Sequence, residues 1–152
     1  MLVFSEYQTD TIDLALDFYG YEDCPKNYEF GPSVRDNFVL HFVTKGKGVF
    51  HFNKKEIHLE AGDLFLLPKN KVTYYKADAE EPWSYYWIGI SGTKVSDFMR
   101  FSTLHEKGFL KKTEEKTEKI GQFMEQLVHK SEASQMTSHY HPHLPSQIYD
   151  LL

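Results

Sequence analysis

Between about Pro32 and Ser91, apolar and polar positions alternate with a period near two, and after Gly92 the period lengthens to that of a helix. The run His41-Phe42-Val43-Thr44-Lys45-Gly46-Lys47-Gly48-Val49-Phe50-His51-Phe52 continues into Glu60-Ala61-Gly62-Asp63-Leu64-Phe65-Leu66-Leu67-Pro68. It reads as strand, glycine turn, strand, short turn, strand and proline stop. Gly46 and Gly48 are expected to give the positive φ that a hairpin turn needs, and Ala61-Gly62-Asp63 a second turn. The pattern predicts strands over 37–44, 48–53, 55–59, 64–67, 72–76 and 83–91, with loops at 68–70 and 78–82. A chain of this kind folds as a small antiparallel barrel with a hollow centre.

Residues 1–31 look irregular, with Phe4, Tyr7, Phe18, Tyr19, Tyr21, Tyr28 and Phe30 interspersed, and predict an arm lying over the barrel. Residues 32–92 form the barrel core and 93–152 the C-terminal helices. Val95, Phe98, Met99 and Leu104 suggest a first helix. Thr113 is placed to cap a long one, whose stripe is Ile120, Phe123, Met124, Leu127 and Val128. That stripe is a candidate dimerisation face, although packing on the chain's own barrel accounts for it equally simply. A polar loop follows over 131–145. Gln147-Ile148-Tyr149-Asp150-Leu151-Leu152 then opens a new apolar segment, so the chain is expected to be the first domain of something longer.

Composition narrows the function classes. The 152 residues suit one domain, and a 16% aromatic content favours pockets and interfaces. A net charge of −5 argues against direct nucleic-acid binding, because phosphate contacts need clustered Lys and Arg. The pair Lys111-Lys112 is soon offset by Glu114-Glu115, as on a solvated helix face. The single cysteine, Cys24, makes no intramolecular disulfide and no cysteine zinc site, which suits the cytoplasm. No apolar run is long enough to span a bilayer and no signal peptide is evident, so no membrane partner is expected. His139, His141 and His143 lie within one short segment, but no acid or Cys accompanies them, and adventitious metal binding is the simpler reading. No nucleophile elbow, H-E-x-x-H or phosphate loop occurs, so no enzyme is expected.

The spacing Gly62-x5-Pro68-x-Asn70-x2-Thr73 resembles the second motif of the cupin superfamily, and the first cupin motif would end near Gly46. The resemblance implies a mainly β fold, a cupin-like antiparallel barrel (double-stranded β-helix) followed by C-terminal α-helices. It places the usual metal-ligand positions at Ser33, Arg35, Val39 and Thr73. Arg has no lone pair to offer and Val no donor atom, so no metal or other cofactor is expected. A narrower resemblance rests on Tyr19-Gly20-Tyr21-Glu22-Asp23-Cys24-Pro25, Gly31-Pro32-Ser33-Val34-Arg35-Asp36, Leu40-His41-Phe42, Gly46-Lys47-Gly48, Ala61-Gly62-Asp63 and Trp83-Ser84-Tyr85-Tyr86-Trp87-Ile88-Gly89. Taken in order, over about residues 1–130, these are similar to the N-terminal effector domain of AraC/XylS-type transcription regulators. The nearest group is the regulators of raffinose, melibiose and multiple-sugar use.

That resemblance implies a sugar-sensing, dimer-forming domain with a small saccharide effector, in particular an α-galactoside or related oligosaccharide. Family members carry a second domain with two helix-turn-helix units, and nothing after Gly92 supplies such a basic pair. DNA contact is therefore expected only through a domain absent from this chain. Family precedent marks the Tyr75, Tyr85 and Trp87 positions as effector contacts. Strand parity adds an independent argument. With Arg35 and Val39 inward, Asn37, His41 and Val43 follow; with Thr73 inward, so does Tyr75. Trp83, Tyr85 and Trp87 share one face, taken as inward because exposing two indoles and a phenol to water is costly. The expected ligand-binding set is Arg35, His41, Tyr75, Tyr85 and Trp87, with Trp83 and Tyr28 at its rim. A metal-dependent cupin enzyme, such as a sugar-phosphate isomerase, is the alternative.

Overall fold

The computed structural model describes residues 2–6 and 14–133. The strands are β1 (Leu2–Glu6), β2 (Ala15–Asp23), β3 (Glu29–Ser33), β4 (Phe38–Lys45), β5 (Lys47–Phe52), β6 (Lys55–Glu60), β7 (Leu64–Leu67), β8 (Thr73–Ala77) and β9 (Ser84–Ser91). After β9 come helices α1 (Thr93–Arg100) and α2 (Thr103–Lys107), the short strand β10 (Phe109–Leu110) and helix α3 (Glu115–Ala133). Two antiparallel sheets face each other, ordered β1-β2-β9-β4-β7-β10 and β3-β8-β5-β6. Strands β2 to β9 fall alternately into the two sheets except at the β5–β6 hairpin. This is the jelly-roll order of the cupin-like double-stranded β-helix.

The turns follow from residue chemistry. Gly46 has φ 73° and joins β4 to β5, and a Cβ there would lie 2.3 Å from the Pro82 carbonyl oxygen. Gly48, expected to supply a second positive φ, does something else. Its bare Cα makes room for Trp83, whose ring would meet a Cβ at 2.5 Å. Asn53 and Lys54 carry φ of 57° and 63° and close the β5–β6 hairpin, as a two-residue turn with both central residues left-handed requires.

The core has two parts. Between the sheets lie Val39, Val43, Phe50, Phe65, Leu67, Tyr75, Trp83 and Tyr85. On the other face of the six-stranded sheet, Phe38, Leu40, Leu64, Leu66, Tyr86, Ile88 and Ile90 pack on Val95 and Met99 of α1, Leu104 of α2, and α3. Strands β4, β7 and β9 are thus covered on both sides, and β7 reads as an unbroken apolar Leu-Phe-Leu-Leu. In α3, Gly121 lets the helix settle on the sheet, since a Cβ there would lie 2.4 Å from the Phe42 ring.

Three expectations need correction. Residues 15–31 are not an irregular arm: most of them form β2, beside β9, and the start of β3, beside β8. The alternation was masked by a bulge between Leu16 and Phe18. It lets Leu14, Leu16, Tyr19 and Tyr21 pack on the helix side while Phe18 joins the inner cluster. The helical stripe offered for dimerisation is also occupied within the chain. Ile120, Met124, Leu127 and Val128 are buried against the sheet and Phe123 packs at the edge of the same cluster, so the intradomain alternative is the observed one. Finally, α3 begins at Glu115, two residues beyond the expected Thr113 cap, and the first predicted helix is two, α1 and α2. The histidines 139, 141 and 143 and the apolar segment 147–152 lie outside the described residues.

Asp63, read from sequence only as a turn residue, ties the sheet to α3. Its carboxylate is fully buried and accepts hydrogen bonds from the Glu60 N–H, the Lys112 N–H and the Lys111 ammonium, each at 2.8 Å. The Thr117 hydroxyl, in the first turn of α3, donates to the Lys111 carbonyl at 2.9 Å. Replacing Asp63 by Ala orphans the Lys112 N–H and removes a charged acceptor. Urea unfolding is expected to show a loss of about 2–4 kcal/mol.

Candidate effector cavity

The inner face of the six-stranded sheet is laid out by register. His41 on β4 stands between Trp87 on β9 and Phe65 on β7, and Tyr85 on β9 stands between Val43 on β4 and Glu22 on β2. Opposite, Phe30 on β3, Tyr75 on β8 and Phe50 on β5 form a cross-strand row. One end of the interior is solid. Trp83 is fully buried and stacks on Phe65 at 5.2 Å, with Phe50 5.0 Å from the same ring. The other end opens as a cavity of about 340 Å³, lined by Phe18, Glu22, Tyr28, Phe30, Arg35, Val39, His41, Tyr75, Tyr85 and Trp87.

The structure therefore brings six of the seven expected ligand residues, Arg35, His41, Tyr75, Tyr85, Trp87 and Tyr28, into one cavity. Trp83 is not among the lining residues. It plugs the filled end of the interior, so placing it at the rim was incorrect: the Gly48 gap draws the indole inward. The reason given for choosing the inward face also changes. Tyr86 and Ile88, on the opposite face of β9, meet helices rather than solvent. Phe18, Glu22 and Phe30 were missed as site residues because they belong to the segment read as an arm. The chemical signal for them was the aromatic-rich stretch itself, but its pairing with β8 and β9 is a long-range fact.

Electrostatics set the protonation of the site. The Arg35 guanidinium lies 5.0 Å from the Phe30 ring centroid and 5.8 Å from that of Phe18, within cation–π reach, and its Nε has no hydrogen-bond partner. His41 stacks flat on Phe65 at 4.5 Å and meets Tyr85 edge-on at 4.8 Å, and its Nδ1 also lacks a partner. Burial, aided by the Arg35 charge, lowers the His41 pKa to about 3, so the imidazole is neutral at physiological pH. Burial likewise raises the Tyr75 and Tyr85 phenols and pushes the Cys24 thiol, beside Tyr85, up to about 12. Such a thiol is not a nucleophile at neutral pH. Burial also raises the Glu22 carboxyl.

Of the positions that hold metal in metal-binding cupins, Ser33 and Thr73 are register partners across β3 and β8, while Arg35 and Val39 line the cavity. Among the described residues, no group of three or more His, Cys, Asp or Glu side chains is arranged to hold a metal ion. No helix among them is long and apolar enough to cross a membrane. The cavity thus offers aromatic faces, a fixed cation, a neutral imidazole, phenols and one acid. This set suits binding and orienting a polar small molecule.

Comparison with known proteins agrees with this reading of the fold. Residues 15–148 match the AraC-like ligand binding domain, and the chain belongs to that family. It is 45% identical over 105 residues to the Msm operon regulatory protein of Streptococcus mutans, covering 69% of this chain and 38% of that protein. It is 40% identical over 100 residues to the raffinose operon transcriptional regulatory protein RafR of Pediococcus pentosaceus, covering 64% of this chain and 36% of the relative. The lactose operon transcription activator of Staphylococcus xylosus is 34% identical over 98 residues, covering 64% of this chain and 35% of that protein. The chain thus spans little more than a third of these regulators. Among solved structures, the protein YhaK from Escherichia coli shares the fold with a TM-score of 0.52 at 13% identity, covering 62% of this chain and 46% of that one. The cupin domain of Schizosaccharomyces pombe Cnp3 superposes with a TM-score of 0.48 at 15% identity, covering 65% and 70%.

The depressed His41 pKa has a measurable consequence. The folded state resists protonation down to about pH 3, whereas an unfolded histidine binds its proton near 6.5. Stability is therefore complete above 6.5 and falls as pH drops below it. Between pH 7 and pH 5 the protein is expected to lose about 2 kcal/mol more than a His41→Phe variant, read by urea unfolding at each pH.

Proposed function

We propose that this chain is the sugar-sensing regulatory domain of an AraC-type transcription regulator of carbohydrate use, and that a small saccharide occupies the Arg35–Trp87 cavity. The observation that carries the proposal is the pairing of aromatic ring faces with two polar atoms, Arg35 Nε and His41 Nδ1, that have no hydrogen-bond partner within the protein. Buried polar groups are ordinarily paired. A pyranose fits the arrangement: its C–H face stacks on Trp87, and its hydroxyls meet the guanidinium fork and the phenols of Tyr75, Tyr85 and Tyr28.

Relatives named for raffinose and lactose operons favour a galactoside or related oligosaccharide. DNA contact is assigned to a further domain of a full-length regulator, in keeping with the net charge of −5 on this chain. Signalling requires that the saccharide favour one arrangement of the regulator over another, in proportion to its differential affinity. The homodimer is part of the proposal, through a surface other than the buried α3 stripe.

A thermal-shift and calorimetric screen against raffinose, melibiose, lactose, galactose, sucrose and maltose tests the proposal. One of them should stabilise the domain, by about 2.7 kcal/mol at a hundredfold excess over Kd. Arg35→Ala and Trp87→Ala should each weaken that binding at least about tenfold while the protein stays folded. A folded wild-type protein indifferent to every saccharide would overturn the proposal.

A further inference from the structure

We propose that Glu22 is the specificity-determining acid of the cavity: it accepts hydrogen bonds from hydroxyls of a neutral saccharide and disfavours phosphorylated sugars. This inference rests on the saccharide reading above and adds to it the class of saccharide.

Three observations support it. First, Glu22 lines the cavity and sits in register with inward-facing Tyr85 on the neighbouring strand. Tyr19 and Tyr21, three and one residues before it, have the other parity and pack on the helix-covered side, so the bulge after Leu16 sets the face on which the acid stands. A glutamate at a half-buried position next to phenols has lost part of its hydration, and ligand hydroxyls are its natural replacement.

Second, the charges of the lining balance. Arg35 is its one cation and Glu22 its one anion, and His41 is held neutral by burial. Third, phosphate sites gather several donors, such as a second cation, a helix N-terminus or a nest of backbone N–H groups. Here the guanidinium is flanked by the Phe30 and Phe18 rings, and no lysine or second arginine joins the lining. A phosphate dianion in the cavity would sit near a carboxylate with only one cation to offset both. A neutral polyol instead uses both groups, donating to the acid and accepting from the guanidinium. The acid supplies the attractive contact for one class and the repulsive one for the other.

The test is calorimetric titration of wild type and Glu22→Gln with raffinose, melibiose and lactose as neutral probes, and galactose 6-phosphate and sucrose 6-phosphate as charged ones. Wild type should bind a neutral saccharide and prefer it to both phosphates. Glu22→Gln should bind that saccharide at least about tenfold more weakly, and its preference over the phosphates should shrink by a larger factor. Near-ultraviolet circular dichroism checks that the variant keeps the wild-type interior. Glu22→Asp, which keeps the charge but withdraws it by one methylene, should weaken the neutral saccharide while still rejecting the phosphates. A neutral saccharide bound within twofold by wild type and Glu22→Gln would overturn this inference alone, as would a wild-type preference for a phosphate. A folded wild type that binds no saccharide of either kind would overturn the saccharide reading, and this inference with it.

Discussion

Strands β4, β7 and β9 are apolar on both faces, and each face commits a different part of the chain. Of their inner positions, His41, Tyr85 and Trp87 line the cavity, and Phe65 belongs to the filled end. Their outer positions, Phe38, Leu40, Leu66, Tyr86 and Ile88, must also be removed from water, and the C-terminal helices cover them in one cluster. Site and helices are therefore two sides of one sheet. The cavity residues His41, Tyr85 and Trp87 and helix α3 thus lie on opposite faces of the same strands.

The interior also explains why half of a jelly roll stays filled and half opens. Trp83 and Phe65 stack with Phe50 into a solid aromatic block, admitted by the missing side chain at Gly48. Beyond His41 the lining changes from packed rings to rings with polar edges, and Arg35 enters from the segment after β3. The neutral imidazole at the boundary is part of the apolar block by its stacking and part of the cavity by its unpaired nitrogen. In a metal cupin the corresponding region holds ligating side chains. Here an arginine and a valine stand at two of those positions and offer hydrogen-bond donation and apolar contact.

Local pattern was a good guide where one residue's neighbours in sequence decide its environment. The strands from β4 to β9 emerged within a residue or so of their observed limits, because alternation, Gly46, Gly62 and Pro68 are local signals. The same period put Val39 and His41 of β4, Tyr75 of β8, and Tyr85 and Trp87 of β9 each on one face; the cupin resemblance and the cost of exposing indoles marked those faces as inward, and all five residues line the cavity. It failed where an irregularity intervened. The bulge in β2 breaks the period in a strand that also carries Asp17, Glu22 and Asp23, so a nine-residue strand looked like an arm and two cavity residues were hidden with it. The α3 stripe was visible as a stripe, but a stripe does not name the surface it covers.

What the sequence alone determined was a mainly antiparallel, cupin-like β fold with C-terminal helices, most of its turns, the likeness to AraC-type effector domains and most of the pocket-facing side chains. The strands and turns depend on period-two alternation and on residue types whose conformational needs are intrinsic, and the likeness rests on the order of its motifs. Tertiary structure decided the rest. It enlisted residues 15–23 and 29–33 as strands of the two sheets, placed Trp83 in the filled end and α3 on the back of the sheet, buried Asp63 as the clamp between them, and set Glu22 and Arg35 in the lining of one cavity. Each of those is a contact between segments far apart in the chain. Its energy comes from removing two distant surfaces from water together, and no local window contains both.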